Sequence, residues 1–363
     1  MKAVFRVDSS NFIGFGHLIR CLTLANVLRQ RGVECSFVCR DHAGNIASKI
    51  SDSGFKLFLL ALPNATATST GSELKYGSWL GCSWQRDADK TNEILRAIQP
   101  EWLIVDHYSI DVKWEKALAK NYKNLMVIDD MANRDHCCDI LLDQNLFLDM
   151  KRRYEKRVSS QCLQLLGPKY ALLQAEYSQL REKAKVRNSS TKNLLIFFGG
   201  SDQSNLTELA FLAAHSFGSE FSSINVVMPS ASPFYHQVKK LIKPLKKANL
   251  HCDLPSLAPL MLEADIGIGA GGATNWERFC LGLPSLVITL AKNQKLVNND
   301  LSKLRLIELI GDAETIKIEQ VRAAIRSVLS RRDLADWSKR CMRACSGDGA
   351  ILVADAILGI TKK

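Results

Sequence analysis

The chain has 363 residues, of which 47% are hydrophobic and 23% are charged, and its formal net charge is +11. This length favours two domains with their own cores, and the composition, which lacks low-complexity tracts, excludes a largely disordered protein. No apolar run approaches the roughly 20 residues that a membrane span needs, and no secretory signal precedes the first strand, so we expect a cytoplasmic protein without a membrane span.

The cysteines could indicate a metal site and the basic residues a nucleic-acid site, but the surrounding sequence supports neither. The 11 cysteines are scattered, mostly through apolar segments, without paired zinc-ligand spacing, so we expect free thiols, no metal and no cofactor. In the basic stretch 236–252, lysines alternate with apolar residues at helical spacing and interleaved aromatic residues are missing. We therefore expect a solvated helix face and no nucleic-acid partner, while peripheral attraction to anionic lipid stays open.

Short apolar strands alternate with amphipathic helical stretches along the chain, in two series. The first series is predicted at 2–8, 34–40, 56–62, 102–107, 125–130 and 139–144, and the second at 193–200, 223–229, 265–272 and 284–291. This alternation predicts parallel sheets covered by helices on both faces, hence an α/β fold with two Rossmann-like domains.

A polar segment between the two series predicts a linker near residues 175–192. We expect an N-terminal Rossmann-like domain over 1–180 and a C-terminal one over 190–345. The last stretch, 346–363, has a turn signal followed by an apolar helix, which we expect to pack back across the domains. The oligomeric state is left open, with a monomer favoured.

Ligands of such sheets bind beyond the carboxyl ends of the strands, where several glycine and polar residues occur. If the two domains face each other, these loops converge on one cleft. They contain Gly14, Gly16 and His17 after the first strand, Tyr108 after the fourth, and, in the second series, Gly200, Ser201, Gly271, Gly272, Thr274, Asn293 and Gln294.

The stretch NFIGFGHLIRCLTLANVLRQRG (11–32) is not a dinucleotide-binding fingerprint, because Ile19 stands where the third glycine belongs. It predicts a tight turn that lets backbone approach a ligand and then presents His17 in the first turn of a helix. The positive end of the helix dipole disfavours the imidazolium, which leaves the ring able to accept a proton. The alternative is a histidine that is hydrogen-bonded into the turn.

The stretch GAGGATNWERFCLGLP (269–284) predicts a phosphate site, since glycines admit an anion and the next helix offers unpaired N–H groups. Thr274 and Glu277 share a helix face, so Glu277 can reach a ribose hydroxyl while the loop holds diphosphate. The alternative is an ordinary turn with a solvent-facing glutamate.

Taken together, these motifs resemble PseG-like proteins over nearly the whole chain. The matching stretches, in order, are RVDSSNFIGFGHLIRCLTLANVLRQRG, LIVDHYSID, VIDDMANRDHCCDILLDQN, LLGPKYALL, FFGGSDQSNLT and GAGGATNWERFCLGLPSLVI followed by KNQ. PseG is the UDP-2,4-diacetamido-2,4,6-trideoxy-β-L-altropyranose hydrolase of pseudaminic acid biosynthesis, related to MurG-type glycosyltransferases. The resemblance implies a glycosyltransferase-B fold with a cleft between two Rossmann-like domains, and metal-independent hydrolysis that inverts the anomeric carbon and releases UDP.

The resemblance also implies roles for individual residues. His17 falls on the catalytic base, while Tyr108 and Asn293 fall on active-site positions that orient the sugar and hold the diphosphate. Gly16, Gly271 and Gly272 match the family's ligand-binding loops, and Glu277 matches a position that contacts the nucleotide in related folds. Together with these, we expect substrate or UDP contacts from Gly14, Arg20, Gly200, Ser201, Thr274 and Gln294. Phe15 departs from the pattern, because it is bulkier than the residue expected between the two glycines. A ring packed under the sheet is the alternative for Tyr108, and a turn cap is the alternative for Asn293.

Two other functions are compatible with these residues. A MurG-like glycosyltransferase would use the same base and a UDP-amino sugar donor but pass the sugar to an acceptor hydroxyl. A non-catalytic UDP-sugar-binding protein would keep the fold without turnover. In each case the partner is a small UDP-sugar.

Overall fold

The computed structural model describes residues 1–63, 76–188, 192–200 and 202–361, and the chain forms two compact units. The first unit comprises Met1–Asn145, Asp149–Leu172 and Asp348–Lys363, and the second comprises Leu146–Leu148 and Leu173–Gly347. Among the described residues, no helix is long and apolar enough to cross a membrane.

The first unit is built on a seven-stranded sheet of order β3-β2-β1-β4-β5-β6-β7, in which every pairing is parallel. Its strands are β1 (Lys2–Val7), β2 (Glu34–Arg40), β3 (Lys56–Leu60), β4 (Trp102–Asp106), β5 (Asn124–Ile128), β6 (Ile140–Asp143) and β7 (Leu163–Leu166). Its α-helices are α1 (Gly16–Gln30), α2 (Ser48–Asp52), α3 (Trp84–Ile98) and α4 (Val112–Leu118), and short 3₁₀ turns lie at Gly77–Leu80, Met150–Arg152 and Pro168–Tyr170.

Both faces of this sheet are buried, which explains why its central strands are almost continuously apolar. Along β1, Phe5 and Val7 belong to the core cluster that includes α1, whereas Val4 belongs to the cluster that includes Trp114 of α4. Phe5 stacks on Phe37 of β2 with ring centroids 4.8 Å apart. Alternate residues of one strand therefore anchor two different layers of helices.

The last helix of the chain, α13 (Gly349–Thr361), completes the core of the first unit. Val353, Ala354 and Ile357 are fully buried in the same cluster as α1. A side chain at position 349 would overlap the backbone of Ala171, so Gly349 permits the close approach with which this helix begins.

The second unit contains a six-stranded parallel sheet of order β10-β9-β8-β11-β12-β13. Its strands are β8 (Asn193–Phe197), β9 (Ser223–Met228), β10 (Ala248–Cys252), β11 (Ile266–Ala270), β12 (Ser285–Thr289) and β13 (Glu308–Asp312). Its helices are α5 (Ala175–Arg181), α6 (Leu206–His215), α7 (Tyr235–Ile242), α8 (Ala258–Glu263), α9 (Thr274–Cys280), α10 (Lys295–Lys303), α11 (Ile318–Leu329) and α12 (Leu334–Ala344), with a 3₁₀ turn at Lys292–Gln294.

All ten strands predicted from the sequence are present, and the two-domain α/β prediction is confirmed. The sequence patterns missed β7, β10 and β13, each of which lies at the edge of its sheet. Edge strands are only partly covered, and β10 and β13 have no fully buried residue, so they lack the apolar run that marks a central strand.

Two other predicted segments can be compared with the structure. Where the sequence predicts a linker near 175–192, α5 instead packs on α8 and α9 of the second unit, and the guanidinium of Arg187 is buried. In the basic stretch, Val238 and Ile242 of α7 are buried while Lys239 and Lys240 are exposed, which matches the predicted solvated face. The end of that stretch is strand β10 rather than helix.

Candidate functional site

The centre of the candidate site in the first unit is a hydrogen bond between His17 and Asp106. The Nδ1 atom of His17 lies 2.6 Å from Oδ1 of Asp106, and the imidazole side chain is 11% exposed. His17 is near the start of α1, directly after β1, and Asp106 is the last residue of β4, which pairs with β1. Because an ionised carboxylate only accepts hydrogen bonds, Nδ1 donates to Asp106, and in the neutral tautomer Nε2 is then the ring atom that can accept a proton.

Arg20 keeps the Asp106 carboxylate charged. Its Nε and Nη2 atoms donate to the two oxygens of Asp106, each at 2.6 Å, in a buried bidentate pair. Burial alone raises the pKa of Asp106, but the charge of Arg20 and the contact with His17 outweigh it and hold that pKa well below its ordinary value. Arg20 was predicted to contact substrate, whereas its Nε and Nη2 groups are directed to the carboxylate that orients His17.

Tyr108 is tied to the same group through a second aspartate. Its hydroxyl donates to Oδ1 of Asp130 at 2.6 Å, and Nη1 of Arg20 lies 3.4 Å from Oδ2 of that residue. Burial and the neighbouring carboxylate raise the pKa of Tyr108, so the phenol stays protonated. The ring packs edge-on against His17, with centroids 4.7 Å apart, although only 6% of Tyr108 is exposed. The predicted base and the predicted sugar-orienting residue are therefore neighbours.

The turn before α1 is built by Ser10 and two glycines. Oγ of Ser10 accepts hydrogen bonds from the backbone N–H groups of Phe12 and Ile13, and Gly14, at φ +86°, closes the turn by donating to the Ser10 carbonyl. A Cβ atom on Gly16 would have nothing within 4 Å. Among the described residues, no side chain caps α1, and its first turn contains no acidic residue. The start of the helix thus presents N–H groups and open space beside His17.

Asp8, directly after β1, is part of a buried ion-pair network with Arg6. Its carboxylate accepts from the guanidinium of Arg6 at 2.5 and 2.9 Å and from the backbone N–H of Arg40 at 2.6 Å. Asp87 accepts from the side chains of both arginines on their other side. With 1% exposure, Asp8 ties the end of β1 to the end of β2.

In the second unit, the predicted phosphate loop is shaped by close packing around glycine. A Cβ atom on Gly271 would overlap the side-chain amide of the fully buried Asn298, which itself donates to Oγ1 of Thr289 at 3.1 Å. A Cβ atom on Gly272 would lie 3.5 Å from Nε2 of Gln294. Gln294, which is also predicted to contact UDP, therefore lies beside this loop. Oε1 of Gln294 accepts from the N–H of Leu290 at 3.0 Å, which fixes its amide.

Glu277 is not a fully solvent-exposed glutamate. It lies half-buried on α9, hydrogen-bonded to the hydroxyl of the buried Tyr177. Burial raises the pKa of Glu277 to about 7, against the opposing effects of Tyr177 and Arg278. A ribose hydroxyl that replaced water at this carboxylate would meet a strong acceptor in partly desolvated surroundings.

The remaining predicted residues are less constrained. Thr274 is half-buried at the start of α9, and Asn293 is exposed in the Lys292–Gln294 turn. Gly200 is exposed after β8, and Ser201 lies outside the described residues. The following Asp202 caps α6 by accepting from the N–H groups of Leu206 and Thr207.

The structure therefore brings together His17, Arg20 and Tyr108 in the first unit, and Gly271, Gly272 and Gln294 in the second. Sequence reasoning missed Asp106 and Asp130, which complete the first group. The available signal was their place at or just beyond the carboxyl ends of two neighbouring apolar strands. In the described ranges, no cluster of three or more histidine, cysteine or acidic side chains could hold a metal ion.

Known proteins resemble this chain in both sequence and fold, although no family model matches it. It is 28% identical, over 81% of its length and 94% of the relative's, to the UDP-2,4-diacetamido-2,4,6-trideoxy-β-L-altropyranose hydrolase of Campylobacter jejuni. It is 27% identical, over 79% of its length, to an uncharacterized protein of Methanocaldococcus jannaschii, of which it spans only 55%.

Among solved structures, MurG of Acinetobacter baumannii is similar over 99% of this chain and 100% of its own, with a TM-score of 0.68 and 14% identity. At this identity the likeness concerns the fold alone. In sequence the chain thus resembles the PseG-like hydrolases, as its motifs predicted, and it has a glycosyltransferase-B fold.

Proposed function

We propose that this chain hydrolyses a UDP-linked 2,4-diacetamido-2,4,6-trideoxy sugar to the free sugar and UDP, with inversion at the anomeric carbon, as a step toward pseudaminic (nonulosonic) acid. The observation that carries the proposal is the His17–Asp106 hydrogen bond of 2.6 Å, which leaves Nε2 of a part-exposed imidazole as a proton acceptor. The sequence likeness to the Campylobacter hydrolase supports the choice of substrate.

In this mechanism His17 takes a proton from water as the water oxygen attacks the anomeric carbon. The bond between that carbon and the β-phosphate oxygen breaks, and its electron pair leaves with UDP. The proton on Nε2 produces an imidazolium, which the ionised Asp106 stabilises at Nδ1 until the proton passes to solvent. A single displacement on the face opposite UDP inverts the configuration.

The proposal assigns nucleotide recognition to the second unit. The glycine loop at 271–272 would hold the diphosphate through backbone N–H groups, and Glu277 would accept from the ribose. Asn293 and Gln294 would add amide donors as negative charge develops on the leaving UDP. UDP is a good leaving group once its negative charge is stabilised. Hydrogen-bond donors at the diphosphate are therefore sufficient, and the reaction needs no general acid.

Hydrolysis in water enriched with oxygen-18 tests this mechanism. The chain is incubated with the UDP-linked diacetamido sugar, UDP release is followed with time, and the products are weighed by mass spectrometry. We expect release without any added acceptor, with the label in the sugar and none in UDP. Label in UDP would refute attack at carbon, and release that requires an acceptor hydroxyl would identify a glycosyltransferase instead.

A further inference from the structure

A group of aromatic side chains adjoins His17 and has no part in the chemistry described above. Phe12 is 74% exposed, although it lies in a turn held by Ser10 and Gly14 rather than in a loose loop. Its ring meets that of Trp79 edge-to-face, with centroids 5.9 Å apart. Together with Trp79, this ring offers an apolar surface that a ligand bound beside His17 can contact.

Trp79 connects this exposed ring to the base. Its indole stacks on Tyr108 at 5.3 Å and meets the ring of His17 edge-on at 6.3 Å. Tyr76 packs against Trp79 at 4.7 Å, and its carbonyl accepts from the hydroxyl of Ser109, which follows β4. The same strand end therefore anchors the aromatic rings and, through Asp106, the imidazole.

We propose that Phe12 and Trp79, here called the apolar lip, bind the C6 methyl group and the C4 acetamido methyl group of the sugar and so select a substrate that is deoxygenated at C6 and N-acylated at C4. This inference rests on the proposed function and names the part of the substrate that the lip recognises. The Trp79 ring lies 6.3 Å from that of His17 and 5.9 Å from that of Phe12, so a sugar whose anomeric carbon meets a water on His17 would turn ring substituents toward these two side chains. The proposed sugar carries a methyl group at C6 and two acetamido methyl groups.

The chemistry of the lip favours methyl over hydroxymethyl. Aromatic rings gain from covering an apolar group, whereas a hydroxyl pressed against them loses water without gaining a comparable partner. One apolar group in such a site changes kcat/KM by roughly 10- to 100-fold. UDP-N-acetylglucosamine, which keeps hydroxyls at C4 and C6, should therefore bind less well than the diacetamido-trideoxy sugar.

Phe12→Ala is the cleanest variant, because Phe12 contacts Trp79 and not the base. We expect KM for the diacetamido-trideoxy sugar to rise about tenfold or more, with kcat and the inhibition constant of UDP-N-acetylglucosamine almost unchanged. Trp79→Ala should lose more, and Trp79→Phe should regain part of the loss. Trp84→Ala is the matched control, since this half-buried tryptophan starts α3 and packs against a core cluster instead.

A second measurement separates this inference from the proposed function. In the His17→Asn background, saturation-transfer NMR on the intact UDP-sugar should show strong transfer to the methyl protons, which Phe12→Ala weakens relative to the uracil protons. If the wild type turns over the substrate but Phe12→Ala changes neither KM nor the saturation transfer to the methyl protons, the inference about the apolar lip is wrong and the proposed function stands. No turnover and no transfer to any sugar proton would overturn the proposed function, and the lip with it.

Discussion

The strand ends of the two parallel sheets are formed by different kinds of residues. In the first unit, the site beyond β1 and β4 is made of charged side chains, with Asp106 accepting from both His17 and Arg20. In the second unit, the loop after β11 is made of glycine backbone pressed against a neutral amide, that of Asn298. A proton acceptor must be oriented by a specific charged partner, whereas a diphosphate is best met by many backbone N–H groups. Two sheets of parallel topology therefore carry different residues at their strand ends, because the topology leaves these ends open to either composition.

The largest effect is expected when His17, the proposed base, or its partner Asp106 is replaced in the first unit. His17→Asn removes the proton acceptor and Asp106→Asn removes the charge that fixes the tautomer, so both should lower kcat by roughly 10²- to 10⁴-fold. UDP affinity, measured by calorimetry, should barely change, because the nucleotide is assigned to the other unit. Turnover close to wild type in His17→Asn would return this residue to a purely structural role.

Asp106→Asn needs a control for folding, since it also leaves the buried Arg20 guanidinium without a charged partner. Its thermal midpoint is therefore compared with that of Arg20→Met, which removes the other half of the pair but leaves the carboxylate beside His17. Loss of activity in the asparagine variant at a temperature where both variants are folded assigns the effect to the base.

Both units have glycine near the start of a helix that follows a strand, and replacing this glycine in the first unit should have a smaller effect on activity. Gly16→Ala fills space that is open in the structure, so the free protein should keep its stability, yet a ligand against the start of α1 would clash. We expect substrate KM to rise roughly tenfold. Gly359→Ala, on α13 with the same open surroundings, is the matched control. Equal kinetics for the two variants would show that no ligand atom approaches Gly16.

The smallest effect concerns Glu277 in the second unit. Because burial raises the pKa of Glu277 to about 7, its neutral form stabilises the native state below pH 4, and that contribution is lost as the pH rises toward 7. Glu277→Gln cannot ionise, so its midpoint of unfolding should exceed that of wild type by about 2–4 °C more at pH 8 than at pH 5. Calorimetric scans at both pH values check this difference. UDP titration of the same variant should show weaker binding if the carboxylate accepts from ribose, and unchanged affinity would remove Glu277 from the nucleotide site.

The pattern of residues was enough to predict the parts of the fold that are buried on both sides. Central strands such as 102–106 and 285–289 are fully buried and apolar, so they stand out in any window of the chain. The edge strand Ala248–Cys252 alternates with polar residues and follows a lysine-rich helix, so its pattern merged with that of the helix. Because an edge strand is partly exposed to solvent, its residues need not be apolar, and the sequence pattern that identifies a central strand is missing.

By itself, the sequence determined that a glycine turn places a histidine at the start of a helix after a strand, because turn chemistry and hydrophobic period are local properties. It did not determine what that histidine touches. Asp106 lies 89 residues further along the chain and meets His17 only because β4 pairs with β1, with the rest of the first sheet on either side. The same pairing brings Tyr108, which follows β4, against the imidazole, and Trp79 stacks on Tyr108. The order of strands in a sheet depends on which faces pack together across the whole domain, so the partners of the base were decided only by the tertiary structure.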